Sequence, residues 1–244
     1  MKTAAIIEAR MTSTRLPGKV MCPILGKPML ELLIERLKHA DTLDEIIIAT
    51  TTNKEDNIIE ELSETLHVGC YRGSEDDVLD RVLHAAVTSN IDLIIEITGD
   101  CPLIDPGVID TLVQIYLSGQ YDFVSNTLKQ TYPNGLDTRI FSTETLKKVA
   151  SLTDDPVDHE HVSLYIYEHP EIFSLYNHES DLLEKYWDLR LTVDTIEDFA
   201  LISTIYEKLY ITNPNFRLPD IITLLEKEPE LVRINQHIHQ KPVH

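Results

Sequence analysis

The sequence is short of positive charge, with 21 lysines and arginines against 41 aspartates and glutamates and a formal net charge of -20. So acidic a chain repels phosphate backbones and anionic headgroups, which excludes broad nucleic-acid or membrane-surface binding; a polyanionic ligand must meet a local basic pocket. Cysteine is scarce: Cys22, Cys70 and Cys101 lie far apart with no CxxC pair, so neither a disulfide framework nor a zinc site is indicated. No apolar run approaches the roughly 20 residues that a membrane span needs. The N-terminal run is too short for a signal peptide and is broken by Glu8. These absences predict a cytoplasmic chain with no membrane or nucleic-acid partner. Also missing are GxxxxGK[ST] and GxGxxG, which weighs against Walker-type ATPase and dehydrogenase chemistry. There is no internal repeat, low-complexity tract or flexible linker.

What remains is 244 residues, 43% of them hydrophobic, enough for one large α/β domain. Short apolar runs alternate with amphipathic stretches. Strands are predicted at Ala4 to Ala9, Glu45 to Thr50, Val68 to Tyr71, Asp92 to Ile97 and Asp122 to Val124. Helices are predicted at Pro28 to His39, Lys54 to Leu66, Asp76 to Ser89 and Pro106 to Leu117, the last opened by a proline at its first position. This alternation predicts a doubly wound, mainly parallel sheet covered on both faces. Residues 125–188 loosen into turns at Pro133-Asn134-Gly135 and Asp154-Asp155-Pro156, predicting an excursion from the sheet that serves as a dimerisation arm or lid. Leu189 to Asp194 alternates like a strand, Thr195 and Asp198 form a capping pair for a helix Glu197 to Tyr210, and the last ten residues read as a polar tail.

The most informative segment is Ala9-Arg10-Met11-Thr12-Ser13-Thr14-Arg15-Leu16-Pro17-Gly18-Lys19, between the first strand and the first helix. Open α/β sheets bind ligands in loops at the carboxyl ends of their strands. Arginine grips phosphate with a planar fork and lysine with a compact charge; Gly18 allows close approach of backbone to an anion. A solvated basic loop is the bland alternative, but three cations, a glycine and the position agree. Asp100, in Thr98-Gly99-Asp100-Cys101-Pro102-Leu103, and Asp194, in Leu191-Thr192-Val193-Asp194-Thr195, each follow an apolar run and suit Mg²⁺ held together with a triphosphate. Alone, each aspartate is as well explained by a turn or a helix cap.

At these residues the chain resembles the cytidylyltransferases of surface-sugar biosynthesis, the group of the 3-deoxy-manno-octulosonate and acylneuraminate enzymes, and most of all their spore-coat polysaccharide (SpsF-type) branch. The resemblance extends through Arg72-Gly73-Ser74-Glu75-Asp76-Asp77-Val78-Leu79-Asp80-Arg81, Ser125-Asn126, Pro133-Asn134-Gly135-Leu136-Asp137 and Glu160-His161-Val162. It implies a Rossmann-like fold of the nucleotide-diphospho-sugar transferase type. It also implies transfer of CMP from CTP to a small anionic acceptor, release of pyrophosphate, Mg²⁺ as cofactor and a homodimer.

Carried over by that resemblance, Arg10, Lys19 and Asp100 are catalytic; Ala9, Arg10, Ser13, Arg15, Gly18, Lys19, Arg72, Ser74 and Thr98 bind the nucleotide; Asn126, Asp137, Glu160 and His161 lie toward the acceptor; and Asp100 and Asp194 hold the metal. Asp76, Asp77 and Asp80 read as a helix N-terminus. The sequence departs from the branch at Glu96, Arg139 and His159, which bears on the acceptor. His159 and His161 form a conceivable zinc pair only if their segment is extended, and no third ligand is evident; His237, His239 and His244 read as a solvated terminus. The competing expectations are a sugar-1-phosphate nucleotidyltransferase using another triphosphate, a glycosyltransferase of similar fold, for which a DxD-like motif is lacking, and a catalytically silent nucleotide sensor.

Overall fold

The computed structural model describes residues 1–240. Its parallel strands are β1 (Thr3–Glu8), β4 (Glu45–Thr51), β5 (Gly69–Gly73) and β6 (Leu93–Thr98), with a short hairpin of β2 (Pro23–Ile24) and β3 (Lys27–Pro28) before the first helix. Helices α1 (Met29–Leu37), α2 (Asn57–Leu66), α3 (Val78–Thr88) and α4 (Pro106–Leu117) make the connections. The seven-stranded sheet runs β5-β4-β1-β6-β8-β7-β9, adding β7 (Phe123–Ser125), β8 (Arg139–Ser142) and β9 (Leu175–Asn177), with β8 antiparallel to both its neighbours. Because β1 is buried on both faces, it reads as a nearly continuous apolar run: Ala5 and Ile7 join the core under α1, α2 and α4, while Ala4 and Ile6 join the core under α3. The doubly wound architecture is present as expected.

Two expectations are corrected. Residues 125–188 are not one continuous excursion: the chain leaves the sheet and returns to it twice, as β8 and β9, short strands of four and three residues. Too few side chains alternate in them to register as strand periodicity; helices α5 (Thr143–Ala150), α6 (Pro156–Glu160) and α7 (Leu164–Glu168) lie between them. Leu189 to Asp194 is extended but is no strand of the sheet. It forms a single parallel bridge from Arg190 to Asn134, and the Val193 amide donates to the Asp100 carbonyl at 2.8 Å. Its alternation has another origin: Leu189, Leu191 and Val193 enter a third core built with α8 (Ile196–Leu209) and α9 (Leu218–Lys227), which turns the alternate side chains toward the sheet edge. A capping box of Thr195 and Asp198 opens α8. The tail is also more than a polar terminus: Asn235 is buried and donates to the Asp198 carboxylate at 2.8 Å. His237 and His239 make no hydrogen bond or ion pair with another described residue; His244 lies outside the described residues. No helix among the described residues is long and apolar enough to cross a membrane.

Candidate active site

The carboxyl ends of β1, β4, β5 and β6 share one edge, and above it opens a cavity of about 560 Å³. The basic loop leaves β1 and is folded onto that edge by its own backbone: the Gly18 amide, at a left-handed φ of 71°, donates to the Met11 carbonyl at 2.8 Å. The fully buried Asp56 accepts from the Met11 amide at 2.7 Å and from the Thr51 hydroxyl, tying the loop to the end of β4. Nothing in Lys54-Glu55-Asp56 marks that role; it looks like an acidic helix start.

This fold brings Lys19 into the middle of the site. Its Nζ lies 2.8 Å from Asp100, 2.9 Å from Asp194 and 2.8 Å from the Val193 carbonyl. Two carboxylates 94 positions apart in sequence therefore meet on one cation. Burial opposes the Lys19 charge, but Asp100 and Asp194 outweigh it and hold its pKa above the usual lysine value; burial likewise opposes the Asp100 charge, and Lys19 overcomes it, holding that carboxyl below its usual range. Asp194 also takes Arg15 at 2.8 Å and Arg190 at 2.7 Å. Arg190 in turn bonds the fully buried Asp198 at 2.9 and 3.1 Å, and Asp198 accepts from the backbone amides of Asp194 and Thr195, both at 3.0 Å. The helix cap read from the sequence is thus also the anchor that fixes Asp194.

Ala9, Arg10, Ser13, Arg15, Lys19, Thr98, Asp100, Asp137, Glu160, His161 and Asp194 line the cavity. Arg10 pairs with the Glu75 carboxylate at 3.3 Å, and the Thr98 hydroxyl lies 3.1 Å from the Cys101 thiol. Burial pushes that thiol well above its usual pKa, so it stays protonated.

Four expected residues are not in the lining: Gly18 acts through its backbone bond to Met11, and Arg72, Ser74 and Asn126 stand elsewhere. Arg72 donates to the carbonyls of Thr51 and Asn53 at 2.9 and 2.7 Å and to Glu60 at 2.7 Å, locking the ends of β4 and β5 to α2. Ser74 is exposed and accepts from the Asp77 amide at 3.1 Å. Asn126 is buried and clamps the Pro133–Thr138 turn through Leu136 and Thr138 at 2.8 and 2.9 Å, so it acts on Asp137 through the backbone. The His pair does not form either: α6 is helical, His159 turns to Asp77 at 2.8 Å, and His161 faces the cavity. Asp77 caps α3 by accepting from the Asp80 amide, as read from the acidic run.

Sequence reasoning missed Glu8, Arg81, Ser163, Tyr167 and Gln240 in the lining, and Arg190 behind Asp194; Glu96 and Arg139, noted as departures, line the cavity too. Glu8 and Glu96 alternate inward from β1 and β6 and resemble ordinary strand-edge residues until the register places them together.

A cationic loop at a strand end and two carboxylates on one ammonium, set on this sheet, define a nucleoside-triphosphate-dependent transferase. The solved structure of a cytidylyltransferase from Leptospira borgpetersenii has the same fold, with a TM-score of 0.91 and 35% identity over 98% of this chain and 100% of that one. The spore coat polysaccharide biosynthesis protein SpsF of Bacillus subtilis is 32% identical over 92% of this chain and 94% of its own length. The 3-deoxy-manno-octulosonate cytidylyltransferase of Geobacter metallireducens is 26% identical, covering 93% and 98%. The profile of the cytidylyltransferase family matches residues 4–234, and the chain belongs to that family. Its reaction is transfer of CMP from CTP.

Proposed function

We propose that this protein couples CMP to a sugar acid destined for a surface polysaccharide or glycoconjugate, with Mg²⁺ as cofactor. The observation that carries the metal is the convergence of Asp100 and Asp194 on Lys19. No group of three ligating side chains occurs among the described residues. Two carboxylates fit Mg²⁺ nonetheless, because that ion takes one or two carboxylates and completes its shell with phosphate oxygens and water. When bound, the ion neutralises charge on the triphosphate.

The chain's own groups do the rest. Arg10, Arg15, Lys19 and Ser13 gather the phosphates, and the three cations steady the leaving pyrophosphate. Ala9 and Thr98, at the ends of β1 and β6, bound the nucleotide where it meets the sheet. Asp137, Glu160 and His161 line the acceptor side and set the attacking oxygen in line with the α-phosphorus; positioning and charge neutralisation supply the catalysis without a covalent enzyme intermediate. A cytoplasmic location suits three free cysteines, and the exposed Leu128, Leu152, Val157, Ile172 and Leu183 on 125–188 support self-association as a homodimer. The test is pyrophosphate release with CTP, Mg²⁺ and a panel of keto-sugar acids: Asp100→Ala should reduce turnover at least about 100-fold with the circular-dichroism spectrum unchanged. Full activity in that variant, or turnover that survives chelation, refutes the metal assignment.

A further inference from the structure

From Ser151 to His161 no residue is buried, and α6, within that stretch, contributes no side chain to a core. Apolar packing therefore does not decide where this segment lies. Yet Glu160 and His161, at its carboxyl end, both line the cavity. The polar bonds of α6 stay within residues 153–161, with one exception. His159 Nδ1 lies 2.8 Å from the carboxylate of Asp77, the N-cap of α3. Asp77 is itself fixed: the same oxygen accepts from the Asp80 amide at 2.8 Å, and its own amide donates to the Ser74 hydroxyl. Just beyond it, α3 places Val78 and Arg81 in the cavity wall.

The other ring nitrogen of His159, Nε2, lies 3.1 Å from the Thr153 carbonyl. A carboxylate and a carbonyl can only accept, so both nitrogens donate, and only the imidazolium carries two N–H groups. The neutral ring satisfies one partner at most. The charges around it agree: α3 presents Asp77 and Asp80 in its first turn, and the segment itself carries Asp154, Asp155, Asp158 and Glu160. Of the basic groups on α3, Arg81 is turned to the Ser74 and Glu75 carbonyls and His84 to Asp80. Burial opposes the His159 charge, but Asp77, the Thr153 carbonyl and Asp154 outweigh it and hold the ring above its usual 6.5.

We infer that His159 is a positioning residue for the transfer, clamping α6 to the first turn of α3 and so setting Glu160 and His161 against the acceptor. This rests on those two residues lining the acceptor side, as proposed above. The experiment measures kcat and KM for pyrophosphate release with CTP and the sugar acid of the panel above that turns over fastest, from pH 6 to 9. The proteins are the wild type, His159→Leu and His159→Arg, with His161→Ala as the control for the acceptor side. At pH 6, His159→Leu should raise the acceptor KM at least about fivefold and leave KM for CTP within about twofold. His159→Arg, a permanent cation with several donors, should keep the wild-type acceptor KM. The clamp is complete while the ring is protonated and is lost as pH rises past 6.5, so the ratio of wild-type to arginine-variant acceptor KM should climb with pH. An acceptor KM unchanged in His159→Leu, an equal rise in KM for CTP, or a ratio flat with pH overturns the inference; a raised acceptor KM in His161→Ala then spares the reading of the acceptor side. An unchanged acceptor KM in His161→Ala, or no sugar acid turned over, removes both.

Discussion

Lys19 sits between Asp100 and Asp194, its ammonium 2.8 Å from one carboxylate and 2.9 Å from the other. This side chain stands between the two acids proposed above to hold Mg²⁺. Mg²⁺ alone must compete with it, whereas a triphosphate offers Lys19 a new partner. Calorimetry should therefore find Mg²⁺ bound more tightly in Lys19→Ala than in the wild type, and CTP bound more weakly by at least about tenfold. Equal Mg²⁺ affinity in both proteins contradicts this exchange.

Asp194 owes its orientation to Arg190 and Asp198, both buried. Asp198→Ala leaves Arg190 partly unpaired in the interior and two amides without an acceptor. Loss of such a partner typically costs about 3–5 kcal/mol. Denaturant titration should show a drop of that order, with activity falling even where the variant remains folded. A drop below about 1 kcal/mol means the network relaxes freely.

Gly135 has a φ of 98°, and a Cβ there would stand 2.5 Å from the Leu191 carbonyl. The Pro133-Asn134-Gly135 turn therefore abuts the strap carrying Asp194. Gly135→Ala must displace backbone on one side or the other, at about 1–3 kcal/mol. A lower melting temperature together with reduced kcat is expected; a variant of unchanged melting temperature contradicts the packing.

Arg72 locks β4 and β5 to α2 and does not line the cavity. Arg72→Ala should lower stability by about 1–3 kcal/mol, since carbonyls lose charge-assisted donors. KM for CTP should stay within about twofold. A tenfold rise in that KM with normal stability places Arg72 on the nucleotide after all.

Glu8 supplies a pH signature. Its carboxyl is raised to about 8, burial being the main cause, from an unfolded value of about 4.5. The folded state thus holds a proton that the unfolded chain releases above about pH 4.5. This contribution to stability is complete below that value and lost as pH rises through 8, with a slope of up to about 1.4 kcal/mol per pH unit. Thermal unfolding from pH 5 to 9 should show the wild type losing stability more steeply than Glu8→Gln; parallel profiles refute it.

The basic loop was legible because its signal is local: cations, proline and glycine crowd one turn after an apolar run. The same holds for the Thr195 and Asp198 cap and for the opening of α4 at Pro106, which falls where it was predicted. Arg72 and Asn126 were misplaced because residue type alone cannot tell an arginine aimed at phosphate from one aimed at carbonyls. Leu189 to Asp194 alternates as a strand does, yet its apolar side faces a separate helical core.

The sequence by itself determined the alternating strands and helices and the cationic turn, since periodicity, caps and turn chemistry act over a few neighbouring residues. Only the tertiary structure decided that Asp100 and Asp194 share Lys19, that Asp198 anchors Asp194 through Arg190, and that Glu8 and Glu96 face one cavity. Those meetings depend on strand order and on packing between residues up to 175 positions apart, and no local pattern encodes them.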